Sequence, residues 1–355
     1  MTLSPIPIAI IGGGIFVKDQ HLPAVLATPQ LALKVIYSRS LASAQSTSEL
    51  LPAQHGAVEL YAEDAGPAKT FADVLARTDI VGVIIALPIA NQPTFIEAAL
   101  KAGKHVLAEK PVAPDVAGAK KLIATYREIA SQTSSIAPTW SVAEQFRFLP
   151  KYVWAAQQAR TLGKVIGFDF RVFQLCREDN KYFQTSWRKN PTHNYGFLLD
   201  GGVHHTAVVR MFLGDNRPAS VVGYSSLAQE YLAPVDTLGA VIKTQSGAVG
   251  NFSCSWGTTI PRTATYQVAC ENGSVTIDGD KGLIVYKDGR KEEQDFPFTA
   301  GAGVQEEVQA WAAVLAEGKE NPLLTPELTL GDLELLELML RSAEDSGAAK
   351  TLALQ

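Results

Sequence analysis

Short apolar runs alternate with amphipathic stretches over the first part of the chain. Ile6 to Ile11 reads as a buried strand, Gly12-Gly13-Gly14 as a tight turn, and Lys18 to Ala27 as a helix. A second strand covers Leu31 to Tyr37, helical patterning runs through Leu41 to Leu51, and Thr70 to Ala76 is a short helix. Ile80 to Leu87 is a buried strand, Asn91 to Ala102 a helix, and Val106 to Ala108 a strand that runs into Glu109-Lys110-Pro111. Strands that alternate with helices in this way need right-handed crossovers, and these give a parallel sheet covered on both faces. Residues 1–137 are expected to form a nucleotide-binding domain.

The texture then changes. After a helix over Pro150 to Arg160, β-rich segments cover Val165 to Leu175, Pro218 to Ser226, Gly239 to Thr244, Gly247 to Trp256, Thr265 to Cys270, Gly273 to Asp278 and Gly282 to Lys287. Polar glycine turns such as Gln245-Ser246-Gly247 and Asp278-Gly279-Asp280 link them as hairpins. The second turn superficially suggests a calcium loop, but no bidentate Glu follows at the spacing such a loop needs. Helices over Val304 to Glu317 and Thr329 to Ser346 close the chain, and the last is a candidate to pack back on the first domain. The expectation is a second domain over residues 138–355 with a large, mainly antiparallel sheet open on one face.

Composition narrows the function classes. A formal charge of -5 supplies no basic surface for nucleic acid or anionic lipid, and leaves small metabolites as partners. The longest apolar stretch, Ile80 to Ala90, is too short for a membrane span and is broken by Pro88. Met1 to Pro7 lacks the basic start of a leader, so a soluble cytoplasmic protein is expected. Cys176, Cys254 and Cys270 are odd in number and widely spaced, which argues against a disulfide framework or a CxxC site. Without a leader, Asn251-Phe252-Ser253 and Asn272-Gly273-Ser274 read as strand and turn residues, not glycosylation sites.

Gly12 and Gly14 permit a tight turn and close backbone approach to a pyrophosphate, with the amides of the next helix donating to it, and Ile15 and Phe16 after the turn are further cofactor candidates. Val17 stands where a third glycine is usual. An NAD-specific fold carries an acidic residue after its second strand. Here Ser38-Arg39-Ser40 follows instead, suited to a 2′-phosphate, so NADP(H) is expected in preference to NAD(H). Leu87, Pro88 and Asn91 at one strand end, and Glu109 and Lys110 at the next, complete the candidate cofactor set, because ligands bind at the carboxyl ends of parallel strands.

A lysine at such a strand end is placed for chemistry. Further on, Asp200 and His204 are four apart at the start of a helix that ends at Gly214, so both can face one cleft. Lysine, histidine and carboxylate are what alcohol oxidation by a nicotinamide requires: a base, a cation on the reacting oxygen and an orienting acid. His204 is the best proton acceptor by its ordinary pKa, although Lys110 and His204 can exchange roles. Glu144, Arg147, Trp187, Arg188, Tyr195 and His205 are candidate substrate groups, since polar donors beside aromatic rings suit a polyhydroxylated ring. Arg147 and Arg188 equally suit a carboxylate or phosphate. No metal site is expected: the six histidines lack HExxH spacing, and His204 and His205 point in different directions on a helix.

The glycine turn, Ala98 to Pro111 (AALKAGKHVLAEKP), and Trp187-Arg188 followed by Gly196 through His204 resemble the Gfo/Idh/MocA family of oxidoreductases. Gly14-Ile15-Phe16 with His21-Leu22-Pro23, Ala143-Glu144 and Gly201-Gly202-Val203-His204 are similar to a fungal, NADP(H)-dependent branch. The resemblance implies a Rossmann domain with a doubly wound parallel sheet, followed by an α+β domain whose open sheet serves a homo-oligomer, dimer or tetramer. It also implies a cis peptide at Lys110-Pro111 and hydride transfer to or from a sugar, polyol or other cyclic or small alcohol-carbonyl pair. The chain departs from the pattern at Pro88-Ile89-Ala90-Asn91-Gln92, where many members have a histidine, which puts a nicotinamide-edge contact in doubt. The rival reading is a ligand sensor of the same fold without turnover; the complete set Lys110, Asp200 and His204 argues against it.

Overall fold

The computed structural model describes residues 4–133, 137–259 and 262–355, which divide into two compact units. The first takes in the chain up to Gln145 and Gly301–Leu328; the second comprises Phe146–Ala300 and Thr329–Gln355.

In the first unit β1 (Ile6–Ile11), β2 (Leu31–Ser38), β3 (Glu59–Ala62), β4 (Gly82–Ile85), β5 (His105–Glu109) and β6 (Trp140–Ala143) form a six-stranded sheet in the order β3-β2-β1-β4-β5-β6. Every pairing is parallel. Ile8, Ile10, Val83, Ile84, Val106 and Leu107 are fully buried, as strands covered on both faces must be.

A single cut at 137/138 does not describe these units. Trp140–Ala143 pairs with β5, and Val142 N donates to Leu324 O at 2.8 Å, so the sixth strand and a late segment complete the first unit. The helix Val304–Glu317 also belongs to it, burying Val308, Trp311 and Val314. The helix that returns is thus the penultimate one, whereas most of Pro326–Glu344 lies in the second unit.

Two helices depart from expectation. Val116–Gln132 was not foreseen, although Asp115 caps it by accepting from Gly118 N at 2.7 Å and Ala119, Leu122, Ile123 and Tyr126 form its buried stripe. The first helix opens as a π-turn over Val17–His21, closed by Leu22 N donating to Val17 O, before Leu22–Leu26 turns as an α-helix. Pro23 explains the widening: it has no N–H for the Asp19 carbonyl, and its ring would strike that carbonyl in a regular helix.

In the second unit β7 (Val165–Phe173), β8 (Pro218–Ser226), β9 (Thr237–Thr244), β10 (Val249–Ser255), β11 (Thr263–Cys270), β12 (Gly273–Asp278), β13 (Lys281–Tyr286), β14 (Lys291–Asp295) and β15 (Lys350–Thr351) form a nine-stranded sheet. Its order is β14-β13-β12-β11-β7-β10-β9-β8-β15, and only β7 and β10 run parallel. Tyr266, Phe170 and Phe252 stand opposite one another across three strands and are fully buried under the helices Pro150–Thr161 and Gly196–Leu213. Asp169, Arg171, Asn251 and Gln267, on the alternate positions, are exposed. Asp278 pairs with Lys281 across the Gly279-Asp280 turn, a hairpin as expected. The three cysteines are buried and unbridged. Among the described residues, no helix is long and apolar enough to cross a membrane.

Candidate active site

The glycine turn leaves β1 where β2 and β4 end. Gly12 has φ 137° and donates from its N–H to Tyr37 O at 2.8 Å; a Cβ there would meet Ala86 O at 2.4 Å, so only glycine fits. A Cβ on Gly14 would meet nothing within 4 Å. The turn is therefore tight against the sheet at one glycine and open at the other, which is the shape a pyrophosphate cradled by helix amides requires. Ile15 and Phe16 lead into the π-turn, where Val17 is buried in place of a third glycine.

Beyond β2, Ser38 is buried, Arg39 is exposed, and Ser40 caps the helix Leu41–Ser48 by accepting from Ser43 N at 3.4 Å. Tyr37 donates its hydroxyl to Glu63 at 2.7 Å; burial and that carboxylate push the phenol far above its ordinary pKa. Arg39 alone of these residues holds its cation out in water, where an added phosphate can reach it.

At the β4 end Leu87 and Pro88 are half-buried and Asn91 is exposed, its N–H donating to Pro88 O. The helix that follows begins at Gln92, which is 1% exposed with both amide atoms lacking a hydrogen-bond partner among the described residues. At the β5 end Lys110 is buried and joined to Pro111 by a cis peptide. Glu109 Oε1 lies 2.7 Å from Nε2 of the fully buried His21, a residue the sequence reading left without a role. Glu144, at the end of β6, is also fully buried.

The second unit carries the remaining candidate residues. Tyr195, with φ 68°, and Gly196 turn the chain into the helix Gly196–Leu213. A Cβ on Gly201 would meet the Trp256 ring at 2.5 Å, so this helix lies against the tryptophan only because that position is glycine. Asp200 accepts from Arg188 Nε at 2.7 Å. The Arg188 guanidinium lies 4.0 Å from the Trp187 ring centroid and 5.7 Å from that of Tyr182. His204 stacks on Phe146, centroids 4.5 Å apart and planes at 17°. His205, one position on, lies with Nδ1 2.6 Å from the Tyr266 hydroxyl in the core.

Three substrate-side candidates are committed elsewhere. Arg147, 2% exposed, forms a buried ion pair with Asp332, which also accepts from Arg210 Nη1 at 2.7 Å. A buried guanidinium needs such a carboxylate, so this pair is structural. Tyr195 directs its hydroxyl to Glu344, and burial with that carboxylate raises its pKa strongly. His205 is held by Tyr266. Trp187 and Arg188 remain partly exposed. Beside them His193, not singled out from sequence, donates from Nε2 to Gly196 O at 3.3 Å, and burial holds its imidazole below the usual range. Burial pushes the nearby Cys176 thiol up to about 11, away from the reactive thiolate.

Comparison with known proteins matches residues 6–135 to an oxidoreductase family's NAD-binding Rossmann fold and residues 158–351 to its C-terminal alpha/beta domain. The chain belongs to the Gfo/Idh/MocA family. Two of its Gfo/Idh/MocA relatives are fungal. Dehydrogenase FPY6 of Fusarium mangiferae is 36% identical over 349 residues, covering 97% of this chain and 98% of that protein. The uncharacterized protein YMR315W of Saccharomyces cerevisiae is 29% identical over 361 residues, with coverage of 97% and 98%. Among solved structures, an oxidoreductase from Thermotoga maritima superposes with a TM-score of 0.83 at 28% identity over 98% of each chain. The α/β fold read from sequence is thus that of the Gfo/Idh/MocA oxidoreductases, and the chain is a dehydrogenase or reductase of that family.

Proposed function

We propose that this protein is an NADP(H)-dependent oxidoreductase that moves a hydride between the nicotinamide and a sugar, polyol or other cyclic or small alcohol-carbonyl pair. The observation that carries the reading is a buried lysine at the β5 carboxyl end in a sheet whose β1 ends in an open glycine turn. Gly12, Gly14, Ile15 and Phe16 would hold the pyrophosphate, Arg39 with Ser38 and Ser40 the 2′-phosphate, and Leu87, Pro88, Asn91 and Glu109 the nicotinamide half. When bound, the nicotinamide supplies the hydride acceptor or donor.

Lys110 binds and polarises the reacting oxygen. His204 takes the hydroxyl proton, its ring plane set by the Phe146 stack. Asp200, anchored by Arg188, orients the substrate or the histidine. Trp187 and Arg188 offer an aromatic face and a fixed donor to a polyhydroxylated ring. Relatives named as an inositol 2-dehydrogenase and a D-xylose 1-dehydrogenase (NADP(+)) favour such substrates. The same proposal makes the protein a cytoplasmic homo-oligomer, dimer or tetramer, through the open sheet face, on which Val241 and Val249 are half exposed.

The test is calorimetric titration with NADPH and NADH, followed by an absorbance screen of sugars, polyols and aldehydes. Tighter NADPH binding with turnover is expected. Binding without turnover across the panel would return the sensor reading.

A further inference from the structure

We infer that His21 is a positioning residue that clamps the Glu109 carboxylate and thereby sets the strand end from which Lys110 projects. The inference rests on the oxidoreductase reading above, in which Lys110 meets the reacting oxygen.

His21 is fully buried, and its Nε2 lies 2.7 Å from Glu109 Oε1, the length of a charge-assisted hydrogen bond. Its Nδ1 has no hydrogen-bond partner among the described residues. An apolar ring would fill this space without the desolvation cost of an orphan nitrogen. The imidazole is therefore accounted for by what Nε2 does, and a T-shaped contact with the Phe16 ring, centroids 5.3 Å apart, holds it in place. Glu109 is the last residue of β5 and is bonded directly to Lys110. A carboxylate free to change rotamer would loosen this strand end, whereas one bound to a buried ring does not.

The other end of the clamp matters equally. His21 closes the π-turn that begins three residues after Gly14, and the turn adds one residue before Leu22 resumes the α-helix. An inserted residue rotates every following side chain by about 100° around a helix, so the widened turn is what aims this imidazole at Glu109. The hydrogen bond links the element that would hold the pyrophosphate to the one that presents the lysine.

The experiment compares wild type, His21→Phe, His21→Gln, Glu109→Gln and the double variant His21→Phe/Glu109→Gln as full-length protein. A glutamine amide reaches roughly where Nε2 sits and donates the same bond; phenylalanine fills the space without donating. For His21→Phe, kcat on a substrate from the panel should fall about tenfold or more, with NADPH Kd within about twofold, since the lost effect is positioning and not uniform binding. His21→Gln should recover most of that loss, and the double variant should be no worse than either single one. Unchanged kcat in His21→Phe overturns the proposal, as does a His21→Gln variant equally impaired with the same fall in Tm, which would mean packing alone. A second readout needs no turnover: the rate at which pyridoxal phosphate with borohydride labels Lys110, followed by peptide mass spectrometry. It should change severalfold in His21→Phe and return in His21→Gln. Were wild type inert on every substrate, the oxidoreductase reading would fail while this labelling still decided the role of His21.

Discussion

Arg188 Nε donates to Asp200 Oδ2 across 2.7 Å, and both side chains are largely buried, at 15% and 8% exposure. Asp200 sits one helical turn before His204, so the arginine fixes the carboxylate next to the proposed base. Removing one partner of a buried pair leaves the other charge unpaired, at a cost of about 3 to 5 kcal/mol when burial is complete and less at this exposure. Arg188→Ala should lower kcat/KM by about a hundredfold and Tm by several degrees, and Arg188→Lys should recover stability better than activity, because an ammonium lacks the planar fork. Steady-state kinetics beside calorimetry checks this; equal recovery of both quantities would reduce the arginine to a structural role.

Lys110→Met keeps the unbranched stem of the side chain and removes its charged end. Turnover should fall by about two to four orders of magnitude, the range for a positioned acid, base or charge, while NADPH affinity stays near wild type. Stopped-flow absorbance with a parallel binding titration measures both, and retained turnover would move the chemistry to another residue.

In the proposed reading, Arg39 selects the coenzyme. Arg39→Ala should weaken NADPH binding by roughly ten- to a hundredfold, the worth of a charge-assisted hydrogen bond, and leave NADH unchanged. Parallel loss for both nucleotides would show that Arg39 holds a part the two share, such as the adenine.

His105, at the start of β5, is buried and accepts at Nδ1 from the Thr139 N–H at 3.1 Å. Burial lowers its pKa, so as pH falls the unfolded chain takes up this proton before the folded one does. Its contribution to stability is complete above about pH 6.5, the unfolded value, and is lost as pH falls toward the lower folded value. Tm should therefore drop between pH 7.5 and 5.5 more steeply for wild type than for His105→Gln. Parallel slopes would assign the acid sensitivity to other groups.

Sequence patterning predicted the glycine turn, the positions of Lys110, Asp200 and His204 on their elements, and the hairpins of the second sheet, because each follows from local backbone demands. Glycine at φ 137°, an apolar strand closing on Glu-Lys-Pro, and a four-residue helical spacing are readable one segment at a time. Burial partners were not. Arg147 looked like a substrate group until Asp332, 185 positions away, claimed it, and Tyr195 and His205 were taken by Glu344 and Tyr266 in the same way.

The sequence by itself determined that this is a two-part α/β oxidoreductase, with Lys110 at a strand end and Asp200 and His204 one turn apart on a helix. Only the tertiary structure decided which polar side chains are spent on the core, that His21 reaches Glu109 across 88 positions, and that Gly301–Leu328 joins the first unit. The reason is physical: local propensity sets elements within a few residues, whereas the cost of burying a charge is met by whichever partner the fold delivers, however distant along the chain.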